Sequence, residues 1–173
     1  MLPAFLLLVT ALAGNEQAPS FVPVFDCYTE NPTWGAPLSG KFVDHGGAIL
    51  AYRSDKDIRP RETREDGAVW LDGAELAAKF ANATEVGRVD VSLVTAKALL
   101  VEAAAKGKLE HQAGRAIDAG LRSCHAYVAD AAHARYRDVD LGTDGGASDR
   151  RVVNTAPEAA ELIGWLRDIG VAF

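Results

Sequence analysis

The sequence predicts an α+β domain, a largely antiparallel sheet with about three helices packed on one face, and three observations carry that expectation. Strand-like segments come first, two helical segments follow, and a second group of strands leads into a closing helix, so helices and strands are segregated and do not alternate. Two strand candidates, Leu121 to Ala129 and Ala134 to Leu141, flank the short breaker Asp130-Ala131-Ala132-His133 as the arms of a hairpin would. The closing segment carries Leu162, Trp165, Leu166 and Ile169, an i, i+3, i+4, i+7 stripe. Burying those four side chains is worth up to roughly 6–12 kcal/mol.

The chain has 173 residues, the usual size of one domain, and 49% of them are apolar, enough to fill a core. Its start differs from the rest. Leu2 to Ala13 is almost continuously apolar and uncharged, and it runs into Ala11-Leu12-Ala13-Gly14, which fits the small-x-small rule for signal peptidase. Residues 1–14 are therefore read as a signal peptide and residues 15–173 as a single α+β domain; the alternative is a buried N-terminal strand or helix. At about a dozen residues the apolar run is too short to cross the roughly 30 Å hydrocarbon core as a helix. No other run approaches membrane length, so the mature chain is expected in the periplasm or secreted, with no stable membrane insertion after signal removal. The net charge of -6 argues against a nucleic-acid partner, because that grip needs clustered Lys and Arg to displace counterions.

Along the mature chain, Asn15 to Ser20 reads as a short unstructured lead-in. Phe21 to Phe25 reads as an edge strand, since Pro23 cannot donate to a central ladder. Thr29 to Ser39, with two prolines and a glycine, reads as a loop, and Trp34 within it is either a lid over the core or an exposed binding residue. Lys41 to Arg53 returns to strand character around Asp44-His45-Gly46-Gly47, a break that closes a hairpin. Ser54 to Asp66 alternates charges of both signs and reads as a solvated loop.

Asp72-Gly73-Ala74-Glu75 has the spacing of a cap with an acid three positions on, the two side chains reciprocally satisfying backbone donors, and it predicts a helix from about Gly73 to Asn82. Asn82-Ala83-Thr84 matches the glycosylation sequon, a triplet that also arises by chance. The Ala-rich run from about Leu93 to Lys106 predicts a second helix, with Leu93, Ala96, Leu100 and Ala103 lining one side. Leu109 to Gly120 is ambiguous and reads as an irregular entry into the sheet, while Thr143 to Asp149 reads as a long turn. The closing helix has Thr155 as its cap, Glu158 reaching back, and Pro157 in the first turn.

Chemistry is less legible than packing. Asp138, Asp140, Asp144 and Asp149 invite comparison with a calcium loop, but Thr143 stands where that loop needs glycine and Asp149 where it needs Glu. His45, His111, His125 and His133 form neither the i, i+4 pair of a zincin nor a structural zinc spacing, although His125 and His133 flank a hairpin. Cys124 and His125 are adjacent on a strand and point to opposite faces, so the imidazole does not activate the thiol. With two cysteines in an exported chain, the simplest pairing is a disulfide between Cys27 and Cys124 that ties the N-terminal edge to the core; the alternative is two buried thiols. No Walker loop, Rossmann fingerprint or nucleophile elbow occurs. No catalytic residue, metal ligand set or cofactor is assigned. The functional expectation is an exported binding or accessory domain for a protein or small ligand, with Trp34 and Tyr52 as candidate binding residues. A small extracytoplasmic hydrolase using Asp118, Asp138 and Asp140 is the alternative.

Overall fold

The computed structural model describes residues 22–31, 36–54, 60–113, 120–144 and 150–173. The chain lays down β1 (Pro23–Asn31), β2 (Ala36–Asp44), β3 (Ala48–Ser54), β4 (Glu62–Glu65), β5 (Ala68–Asp72), α1 (Gly73–Lys79) and β6 (Thr84–Arg88). It continues with α2 (Val91–Ala98), α3 (Val101–Ala104), β7 (Leu109–Ala113), β8 (Leu121–Asp130), β9 (Arg135–Asp144), β10 (Arg150–Asn154) and α4 (Pro157–Asp168). The strands form one ten-stranded sheet in the order β4-β5-β9-β8-β1-β2-β3-β6. β10 pairs with the far end of β9 and carries β7 on its outer side. Every ladder is antiparallel, so the fold is the expected α+β class.

Alternation along the strands sends neighbouring residues to two different cores. Phe25, Cys27, Val43, Cys124, Ala126 and Val139 face one side, where Val94 of α2, Val101 and Ala104 of α3, and Ala159, Leu162, Trp165 and Leu166 of α4 cover them. Three helices thus pack on one face. A fourth, α1, covers the other face, where Leu76 and Phe80 meet Phe42, Leu50, Tyr52, Leu71 and Tyr127. With both faces covered, a polar residue alternating with core residues on a central strand is buried whichever way it points.

Several local expectations change. β1 is a central strand, not an edge: it pairs with β2 on one side and β8 on the other. Pro23 is tolerated because it is the first residue of the strand and pairs only with Asp44, while β8 begins its ladder at Phe25. Thr29–Asn31 and Ala36–Ser39, expected as loop, belong to β1 and β2, and residues 32–35 lie outside the described residues. Residues 62–65, expected as solvated loop, form the edge strand β4, whose exposed charges protect an open edge from further pairing. Leu109–Ala113 is likewise an edge strand, paired to β10.

The hairpin around residues 44–47 forms as expected, with Gly47 at φ +81 donating to the Asp44 carbonyl. Asp72 caps α1 by accepting from the backbone of Ala74 and Glu75. Glu75 does not reach back, because the Asp72 amide is taken by the Arg61 carbonyl, and its carboxylate accepts from Arg61. The Ala-rich helix breaks between α2 and α3, and its buried side is Val94, Val101 and Ala104, while Leu93 and Ala96 are exposed. Alanine fills either side of a helix, so the run of alanines left the burying face to Val94 and Val101. At α4 the Asn154 carboxamide, not Thr155, accepts from the Ala156 amide, and the Thr155 hydroxyl accepts from Lys108 instead. Pro157 sits in the first turn and Ile169 at the C-terminal cap.

Candidate functional site

Asp26 alternates on β1 with Phe25 and Cys27, so its carboxylate points away from the main core and towards α1. It is fully buried. Three side chains donate to it: Tyr52 Oη at 2.8 Å and 3.1 Å to the two oxygens, Lys79 Nζ at 2.6 Å, and Tyr127 Oη at 3.2 Å. Tyr52 belongs to β3, two strands away, and reaches Asp26 over Gly40 of β2. A Cβ at Gly40 would stand 2.8 Å from the Tyr52 hydroxyl and 2.5 Å from the Cys27 carbonyl, so only glycine leaves the passage open. Lys79, the last residue of α1, brings its ammonium 4.3 Å from the centroid of the Tyr28 ring and 5.3 Å from that of Phe80. Burial, followed by the charge of Asp26, pushes the Tyr52 and Tyr127 hydroxyls well above their ordinary value. Both therefore stay protonated and act as donors.

The second half of the cluster is built on β8 and β9. His125 stands directly opposite Asp26 in the β1–β8 ladder and opposite Asp140 in the β8–β9 ladder. Its ring lies nearly parallel to those of Tyr28 and Tyr127, at 11° in each case. Nδ1 is 2.9 Å from Asp138 Oδ1, and Nε2 is 3.5 Å from the Tyr28 hydroxyl. Burial works to lower the imidazole, but the charge and hydrogen bond of Asp138, with Asp140 beside it, overcome that and push it up to about 9. His125 is thus an imidazolium at neutral pH, with Nδ1–H donating to Asp138 and Nε2–H directed at Tyr28. Burial also raises Tyr28 and Asp140. Asp140 Oδ1 has no hydrogen-bond partner among the described residues.

A cavity of about 110 Å³ opens onto this cluster and is lined by Tyr28, Lys79, His125, Tyr127 and Asp138, with Glu30 and Glu62 among its other walls. It offers a mixed surface: two cations and two phenols among carboxylates, on an apolar frame that includes Leu38 and Leu71.

Of the residues singled out from the sequence, Tyr52 is buried in the network and not exposed on the surface, and Trp34 and Asp118 lie outside the described residues. Asp138 and Asp140 join the site. Cys27 and Cys124 are directly opposed in the β1–β8 ladder and form the disulfide, with Cα atoms 4.1 Å apart, on the face opposite the cluster. Because β1 is central, the bond joins two core strands and does not tie an edge to the core. Cys124 and His125 do diverge to opposite faces. His133 bonds Asp130 in the hairpin turn, five residues beyond His125 on β8, and takes no part. No three His, Cys, Asp or Glu side chains among the described residues are arranged to hold a metal ion. Asp26, Lys79, Tyr28 and Tyr127 were not anticipated. For the three strand residues the signal is the alternation Phe25-Asp26-Cys27-Tyr28 and Cys124-His125-Ala126-Tyr127, in which Asp26 and His125 fall between core residues; Lys79 has no such signal. The chain matches no protein-family model, no curated protein and no solved structure.

Proposed function

We propose that this chain is an exported domain that binds a small polar ligand in the cavity over Lys79 and His125. The observation that carries the reading is that two cations, with side chains only 6% and 14% exposed, converge there with two protonated tyrosines. Concave sites in which titratable groups with displaced pKa values converge are where proteins take small molecules. Asp26 and Asp138 fix the two cations in place, so a ligand meets donors that are already oriented. An acceptor group of the ligand would take the Nε2–H of His125 in place of the Tyr28 hydroxyl. Export is supported by the pattern of residues 1–14 together with the Cys27–Cys124 disulfide, a bond that persists in oxidising compartments. Among the described residues no helix is long and apolar enough to cross a membrane.

The test is a titration of ¹⁵N-histidine-labelled protein with acetate, glycine and ethanolamine as probes of anion, zwitterion and cation. Saturable movement of the His125 Nε2 resonance with acetate or glycine, lost in Lys79→Met, is the expected result. No response to any probe overturns the reading. N-terminal sequencing of the protein from its host should begin near Gly14.

A hydrolase remains the second reading, favoured by one observation: Asp138 and Asp140 lie on one face in different environments, Asp138 tied to His125 and Asp140 raised by burial. Two carboxylates held apart in this way can divide acid and base roles. Turnover of nitrophenyl esters or glycosides that disappears in Asp140→Asn would replace binding with catalysis.

A further inference from the structure

The structure assigns a second binding site, for an amphiphile with a carboxylate head and an alkyl body, to the cleft between α4 and the ends of β8, β9 and β10. This cleft of about 340 Å³ lies on the face opposite the polar cluster, and its size falls within the range of small-molecule sites. Its apolar lining includes Leu141, Val153 and Ile163 beside Cys124. Three arginines stand around it: Arg122 at the start of β8, Arg151 on β10 and Arg167 on α4. Asp144 is the one acidic side chain lining the cleft, and the terminal carboxylate of Phe173 lies against Arg167.

The charge is the telling feature. The chain carries a net charge of -6, yet this cleft gathers three guanidinium groups against one acidic side chain and the terminal carboxylate of Phe173, leaving two of the three arginines without an acidic partner. Among the described residues Arg122 and Arg151 form no ion pair, and Arg122 stands opposite Asp144 in the ladder without bonding it. Arg167 donates to the terminal carboxylate of Phe173 at 2.9 Å, while Arg122 rests over the Phe173 ring at 5.3 Å, a contact that leaves its planar donors unspent. Unpaired guanidinium groups at the mouth of an apolar slot complement a planar carboxylate on a hydrocarbon tail, since Arg binds carboxylates in a two-pronged fashion. On α4 the cleft wall runs Ala160, Ile163, Gly164 and Arg167, one helix face, and a Cβ at Gly164 would meet nothing within 4 Å. Space is left at the middle of that wall.

Calorimetric titration of the intact chain with decanoate, below its micelle-forming concentration, tests the site against decanol, decyltrimethylammonium and acetate. Decanoate should bind with 1:1 stoichiometry, about tenfold or more tighter than decanol, while acetate and the cationic amphiphile show no saturable heat. Gly164→Leu fills the slot and improves helix propensity, so it should fold at least as well as the parent and lose decanoate binding. Arg122→Gln with Arg151→Gln should reduce decanoate to the level of decanol. Equal binding of decanoate and decyltrimethylammonium, undiminished binding by Gly164→Leu, or no binding at all would each overturn the assignment.

Discussion

Lys79 Nζ lies 2.6 Å from Asp26 Oδ2, and neither side chain has appreciable contact with water. Taking both charges out of water is costly, and the cost is offset here because the tyrosine hydroxyls of residues 52 and 127 complete the carboxylate's shell. Removing one partner strands the other. Lys79→Met should therefore destabilise the fold by about 3–5 kcal/mol. Adding Asp26→Leu to it should restore part of that loss. A denaturant series on both single variants and the double variant measures the coupling; additive losses would mean that the two groups stabilise the fold independently.

Stability should fall with pH across the range in which His125 titrates. Its pKa rises from an ordinary 6.5 to about 9 in the folded chain, so the folded state holds a proton that the unfolded chain releases. The stabilisation is complete below pH 6.5 and is lost as pH climbs through 9. Urea midpoints of the parent and of Asp138→Asn, compared across that interval, should diverge at the acid end and converge at the alkaline end. A parent midpoint that does not change across the interval would refute the imidazolium assignment.

Trp165 anchors α4 by standing edge-on to Phe25, with ring centroids 5.2 Å apart and planes at 75°. Truncation to alanine should cost about 3–5 kcal/mol. Its indole nitrogen has no acceptor among the described residues, so Trp165→Phe gives up no hydrogen bond and should cost clearly less. Thermal denaturation of the two variants would rank them; equal losses would place the indole nitrogen in a bond.

The Cys27–Cys124 disulfide closes a sequence separation of 97 residues. In the chain-entropy account a loop near that size is worth up to about 4.7 kcal/mol. Reduction, or paired replacement by alanine, should lower the denaturation midpoint without moving either strand, because the five residue pairs besides the cysteines in the β1–β8 ladder do not depend on the bond for their register. Unreduced protein should weigh two hydrogens less than reduced protein, and its thiols should resist alkylation even when it is unfolded.

Much of the fold was legible because its signals are local. The hairpin of β8 and β9 follows from two strand runs about a short breaker, and α4 from its apolar stripe. β1 was harder: a proline near its start marks an edge by composition, and only the staggered beginning of β8 makes a central place possible. β4 was hidden because an edge strand covered in charge has the composition of a loop. The site was partly within reach. Pairing Cys27 with Cys124 across antiparallel strands places Asp26 opposite His125, one step from each cysteine. Lys79 could not be found that way, since it arrives from the end of α1, a helix laid over the sheet face, and no local pattern encodes which side chain a helix end will deliver.

The position of the disulfide also bears on how the molecule would yield to mechanical tension. Pulled from its two ends, the chain could extend only up to Cys27 and Cys124, because the covalent bond carries the load past everything between them. Tyr28, Tyr52 and Lys79 lie inside that shielded loop, whereas Asp26, His125, Tyr127 and Asp138 lie outside it. Force would thus part the ligand cluster along a seam, drawing the Asp26 and Asp138 carboxylates and the His125 imidazole away from a lysine and two tyrosines that bear no tension, and relaxation would bring the two halves back beside a strand crossing that never opened.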